Sequence, residues 1–254
     1  MADQSSTPSI EFYSQLEPDG FYRLLELTPE LADILESGAS LSLKAPETDS
    51  HLILCTVSKT YRVRQMNQSN TLLLSDSRDL SFSSESSEAP PYLVAFGSAS
   101  SYLEVIDEQS PKLSVESIPL YMGNGVISGL HEPNRPTSIH YESLGVLRSR
   151  APLSDAEFNE KWRLQGGVEI DDIACRINDS LTHSIICDIL ATVIGSKLDL
   201  SAVNCIQLLP LLPSDAEPLA VVEAVMARFS QSASSNCKYL VPQFLFYIYC
   251  FPLK

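Results

Sequence analysis

The chain has 254 residues, enough for one large or two modest domains, and with 44% hydrophobic and 19% charged residues most of it can bury a core. Its net charge of −15 argues against binding nucleic acid nonspecifically over the whole surface, since phosphates repel an acidic chain unless its cations gather on one face. A local DNA contact is still open.

Residues 1–20 are polar and are expected to be flexible. "MADQSSTPSIEF" lacks the basic and apolar regions of a signal peptide, so the chain is not expected to be secreted. The sequons at Asn67 and Asn178 are then chance matches. "LTPELADILESG" predicts a short helix with Thr28 as N-cap, Pro29 in the first turn and Gly38 as terminator, and with Leu31, Ile34 and Leu35 on one face.

From Ser40 the period changes to two. "LSLK", "HLILCTV", "TYRVRQM" and "TLLL" are four strand candidates. Residues 75–91 are rich in serine and read as an exposed loop. "PYLVAFG", "SYLEVID" and "KLSVESI" resume the strand pattern. Short strands without interleaved helices predict an antiparallel, barrel-like β domain over 21–140.

Residues 141–153, in a proline-containing stretch, read as a linker. Over 154–230 the period is helical. "SDAEFNEKWRL" opens with the capping box Ser154–Glu157. "NDSLTHSIICDILATVIG" puts Leu181, Ile185, Ile189 and Ile194 on one side, "DLSAVNCIQLLPLL" is a third helix, and "PLAVVEAVMARFS" is a fourth with Pro218 near its first position. With the short β piece "GGVEID", this region predicts a winged-helix module, so the fold class is α+β.

Chemistry is sparse. "GNGVISG" has Ser128 where a dinucleotide fingerprint needs glycine, and it reads as a turn. No P-loop, GxSxG or HExxH motif occurs. His51 and Cys55, four apart on a strand, are about 13 Å apart, too far for one metal ion. The six cysteines show no close pairing and read as small apolar residues in a reducing compartment. The apolar run Tyr239–Leu253 is shorter than the ~20 residues that span a bilayer, so no membrane partner is expected. No metal, cofactor or catalytic residue is expected.

The strongest interaction signal is "LILCTVSKTYRVRQMNQSNTLLL". Lys59, Arg62 and Arg64 concentrate charge, with Arg62 and Arg64 on one face of a strand and Tyr61, Val63 and Gln65 on the other. A solvated strand face is one reading. The other is a basic stripe meeting an acidic partner, on an edge that can pair with a foreign strand. Lys59, Tyr61, Arg62 and Arg64 are the interface candidates, and Leu52, Leu54, Cys55, Leu72, Leu74 and Trp162 the core candidates. Two rival functions are weighed. A winged-helix DNA-binding regulator would need a basic recognition helix, and the two central helices contain no Lys or Arg. A thiol enzyme would use Cys55.

Residues Tyr22 to Leu74 resemble the N-terminal region of the DCC-type sister-chromatid cohesion proteins. Leu24, Leu25, Glu26, Leu27, Pro29, Glu30 and Leu31 match a first block. Leu54, Cys55, Thr56, Lys59, Thr60, Tyr61 and Arg64 match a second, and Ser69, Asn70, Leu72, Leu73 and Leu74 a third. A weaker match, with Ser154, Glu157, Leu164 and Ile170 in place, continues to about Ser230. Thr28 stands where the family has proline, and Ala45 where it often has glycine.

The resemblance implies a nuclear, non-catalytic subunit of the alternative, chromosome-transmission-fidelity replication-factor-C clamp loader. Its β domain would form a joint barrel with the small subunit and the tail of the large ATPase subunit. Its winged-helix part would contact DNA and polymerase epsilon, with the sliding clamp reached through the complex. Residues 231–254 leave the family pattern and are expected to be a gene-model artefact, without the further winged-helix modules of the family.

Overall fold

The fold was examined in a computed structural model. It describes residues 11–14, 16, 22–45, 51–78, 92–109, 111–130, 138–198, 205–213 and 217–230. In chain order the elements are β1 (Glu11–Ser14), β2 (Leu24–Glu26), α1 (Pro29–Glu36), β3 (Ser42–Lys44), β4 (Leu52–Cys55), β5 (Thr60–Arg78) and β6 (Tyr92–Asp107). They continue as β7 (Leu120–Gly123), β8 (Val126–Ile127), α2 (Leu144–Arg150), α3 (Asp155–Leu164), β9 (Gly167–Ile170) and β10 (Ile173–Ile177). The last are α4 (Asp179–Gly195), α5 (Cys205–Leu208), a single 3-10 turn (Leu209–Leu211) and α6 (Leu219–Arg228).

Two compact units emerge: Met1–Ser40 with Tyr61–Asp107, and Leu41–Thr60 with Glu108–Lys254. They interleave along the chain.

The first unit is built on a long antiparallel ribbon. β5 has 19 residues and β6 has 16. "TYRVRQM" and "TLLL" are therefore one strand, and so are "PYLVAFG" and "SYLEVID". The strands stay continuous by absorbing irregularity. Asn67 pairs with Ser101 but the next pair is Leu72 with Ala99, so β5 bulges outward over Gln68–Thr71. A second shift, between Leu74 and Ser75, leaves Phe96 as the extra residue on β6. A Cβ on neighbouring Gly97 would lie 2.5 Å from the Tyr22 ring, which needs that space and meets Phe96 edge-on at 5.4 Å.

On the other edge of β6, β1 lies beside Tyr92–Ala95 and β2 beside Tyr102–Glu104. Both run parallel to β6, which corrects the purely antiparallel expectation: β1 and β2 follow the same edge in the same direction. β1 also gives Glu11–Ser14 regular structure inside the stretch expected to be flexible. No closed barrel forms among the described residues. α1 starts as predicted, with the Thr28 hydroxyl accepting from the Leu31 N–H at 3.3 Å. Leu31 is fully buried, Ile34 half-buried and Leu35 exposed.

The second unit carries the hydrophobic mass. β3 and β4 form an antiparallel hairpin. The order β8-β7-β10-β9 makes a four-stranded sheet, mostly antiparallel, with β7 and β10 parallel. Two-residue turns close two of its hairpins, and all four turn residues have positive φ: Asn124 at 51° with Gly125 at 75°, and Asp171 at 50° with Asp172 at 60°. Such mirror-image turns match the strand twist, and short polar side chains tolerate the left-handed backbone. "GNGVISG" is thus a hairpin turn. "KLSVESI" forms no strand; its backbone turns at Val115–Ile118 instead.

One apolar cluster joins this sheet to α4 and α6 through Tyr121, Cys175, Ile186, Ile189, Val193, Val221, Val225 and Met226. α4 points Ile185, Ile189 and Val193 inward, spaced by four, while Ile194 lies about 100° further round and is 69% exposed. Ile194 is therefore not part of the buried stripe predicted from the sequence. A second cluster holds Ile118, Leu147, Leu153, Phe158, Trp162 and Ala174. Leu147 belongs to α2, a helix inside the stretch read as a linker; its N-cap is Ser143, masked in the sequence by the nearby prolines. Gly167 lets β9 lie against Trp162, since a Cβ there would sit 2.1 Å from the indole. In the described part of the third predicted helix, α5 gives way to the 3-10 turn, where Pro210 lacks the N–H a continuing helix needs; residues 199–204 lie outside the described residues. Pro218 is the N-cap residue of α6, one position before the expected one.

The serine-rich loop continues β5 as far as Arg78. Its remainder, the Tyr239–Leu253 run and the atypical tail lie outside the described residues.

Candidate assembly surface

The β4–β5 turn is fixed by its own sequence. The Thr56 hydroxyl accepts from the Ser58 N–H at 3.3 Å and the Lys59 N–H at 2.9 Å, while the Thr56 N–H donates to the Lys59 carbonyl at 2.9 Å. Threonine here replaces a backbone turn with a side-chain one. Lys59 is half-buried at its end.

From there the four interface candidates diverge. Tyr61 is 1% exposed and shares the inward face with Val63. Arg62 is half-buried, and Arg64 is exposed on the outward face. Arg64 meets its acid within the ribbon: Nε donates to Glu104 Oε2 at 2.6 Å, across the register pair Arg64–Glu104. That hydrogen bond, then the charge of Glu104, raises the guanidinium pKa. Of the core candidates, Leu54, Cys55 and Trp162 are buried. Leu52, Leu72 and Leu74 are half-buried, and Leu73, between the last two, is 49% exposed.

The residues that hold the start of β5 were read from the sequence separately, Ser154 and Glu157 as a capping box and Thr60 as a matched position, and not as one group. Thr60 is fully buried. Its hydroxyl accepts from the Ser154 N–H at 2.7 Å and donates to Glu157 Oε2. The Ser154 hydroxyl donates to the same carboxylate oxygen at 2.5 Å, and the Glu157 N–H donates back to Ser154 Oγ at 3.3 Å. The capping box that begins α3 thus also receives the first side chain of β5. The capping box is visible in sequence; its third member, 94 residues upstream, has no local signal.

The sheet order β1-β6-β5-β4-β3 places the four-residue β4 on the outer edge of the 19-residue β5, and no other described strand lies on that edge. β6 lies on one side, and β1 and β2 are on the far edge of β6. A groove of about 410 Å³, lined by Tyr22, Arg23, Leu24, Gln65 and Ser98–Leu103, occupies the interval of β6 between the registers of β1 and β2. A strand edge left open presents unpaired N–H and C=O groups.

The Cys55 and Cys175 thiols are poor nucleophiles. Burial, above all, raises the Cys55 pKa, and burial followed by the charge of Glu169 pushes Cys175 up to about 12. Among the described residues, no group of three or more His, Cys, Asp or Glu could hold a metal ion, and no helix is long and apolar enough to cross a membrane.

Comparison with known proteins gives the architecture a family. The model of the family described as "Sister chromatid cohesion protein Dcc1" matches residues 22–245, both units included. The chain belongs to the Dcc1 family. It is similar to the Saccharomyces cerevisiae sister chromatid cohesion protein DCC1, with 26% identity over 252 residues covering 90% of this chain. A probable sister chromatid cohesion protein DCC1 of Dictyostelium discoideum is 38% identical over 72 residues, 28% of this chain. The aligned regions span 65% of the yeast protein's length and 19% of the Dictyostelium protein's.

Proposed function

We propose that this Dcc1-family chain is a nuclear, non-catalytic subunit of the alternative, chromosome-transmission-fidelity replication-factor-C clamp loader, acting in DNA replication and sister chromatid cohesion. The observation that supports this reading most is the long ribbon: a 19-residue β5 whose outer edge is met, among the described residues, only by the four-residue β4, with half-buried leucines along it. A strand from another chain would satisfy that edge through main-chain hydrogen bonds and cover Leu72, Leu73 and Leu74. The C-terminal tail of the large ATPase subunit and the small subunit are the partners that finish the barrel-like sheet. The second unit, with its helices and the β9–β10 hairpin, acts as a winged-helix-like platform toward DNA and polymerase epsilon, and the sliding clamp is engaged through the complex. A stand-alone DNA-binding regulator is less well supported, because α4 has no Lys or Arg on any face.

Co-expression with the small subunit and the large subunit's C-terminal tail, followed by size-exclusion chromatography, tests the reading. Co-elution of all three chains is expected. A chain that elutes alone as a stable monomer beside its intact partners contradicts it.

A further inference from the structure

The clamp at Thr60 is more elaborate than a strand start requires. One hydroxyl accepts from the Ser154 N–H and donates to the Glu157 carboxylate, which also receives the Ser154 hydroxyl. The Thr60 carbonyl accepts from the Glu108 N–H at 3.2 Å, so the first residue of β5 is held at both its side chain and its backbone. Hydrogen bonds to a carboxylate are the strong kind, and in this partly buried network they fix one geometry.

We propose that Thr60 is a positioning residue for partner assembly: its clamp to Ser154 and Glu157 orders the start of β5 before another chain pairs with the later part of that strand, beyond four-residue β4. This rests on the strand-pairing reading above. A strand that is already ordered loses less conformational freedom when a partner docks, and affinity rises accordingly. The nearby Cys55 thiol, 3.9 Å from the Thr60 oxygen, fills space beside the clamp and does no chemistry there.

The test uses the full chain with the co-purified small subunit and large-subunit tail, at a temperature where every variant is shown to be folded. Thr60→Val keeps the shape but removes both hydrogen bonds, and is expected to weaken partner binding about tenfold. Thr60→Ser restores the hydroxyl and is expected to bind within about twofold of the parent. Ser143→Ala is the control. It removes the helix cap that accepts from the Val146 N–H, which is no part of the Thr60 clamp, and is expected to leave affinity unchanged. Where Thr60→Val does not fold, Glu157→Gln takes its place, keeping an acceptor but losing the charge, with a severalfold loss expected. Unchanged binding by these clamp variants, or equal weakening by Ser143→Ala, overturns the proposal and leaves strand pairing standing. Failure of the parent chain to bind the partners removes strand pairing itself.

Discussion

The two units solve the problem of burial differently. Both apolar clusters lie in the second unit, where sheet and helices cover one another. In the first unit the buried apolar residues among those described are Leu31, Tyr61, Val63, Ala95, Ala99 and Val105, two of them alanines, on a ribbon whose strands run to 19 and 16 residues. At about 3.3 Å per residue the longer strand extends roughly 60 Å, too far for so few side chains to stabilise alone. The second unit carries its own packed core; the first has few buried side chains among its described residues for the length of its strands.

The contrast breaks most readily in the second unit. Phe158 is fully buried, stacks against Trp162 with ring centroids 6.0 Å apart, and lies under the Arg148 guanidinium. Phe158→Ala should cost roughly 3–5 kcal/mol in urea unfolding. A loss under about 1 kcal/mol would mean that this cluster is not the stabilising core.

A smaller, pH-dependent effect comes from Cys175. Its folded pKa of about 12 lies above the usual 9.0, so the folded state holds the proton that the unfolded thiol gives up. Its contribution is intact below pH 9 and is lost as pH rises toward 12. Thermal unfolding from pH 8 upward should show a falling midpoint, with a shallower fall in Cys175→Ala; parallel curves would remove the assignment.

The smallest effect on stability, and the sharpest for the comparison, falls on the ribbon. Leu73 is half exposed on β5, so Leu73→Ser should change the stability of the isolated chain by no more than about 0.5 kcal/mol. The same change should weaken co-purification with the partner subunits. A large stability loss in the isolated chain would show that Leu73 is already covered without them.

Local features were legible where neighbouring residues decide them. The Thr28 cap, the Ser154–Glu157 box and the alternation of Tyr61 and Val63 against Arg62 and Arg64 are all written within a few residues. Strand continuity was not. The polar bulge Gln68–Thr71 looks like a turn in sequence, and only its pairing with β6 shows the strand passing through it. α2 was hidden because the prolines around it read as a connector, although Ser143 is a sound N-cap. The Thr60 clamp was invisible for another reason: its members are 94 and 97 residues apart, and no periodicity reports a contact at that range.

Amide hydrogen exchange along β5 is the most direct measurement of the open-edge claim. In the isolated chain, amides of Asn67–Ser75 should exchange at least about tenfold faster than those of β10, and should slow on assembly with the small subunit and the large-subunit tail. Equal protection of the two strands in the isolated chain, with no change on mixing, would contradict the account.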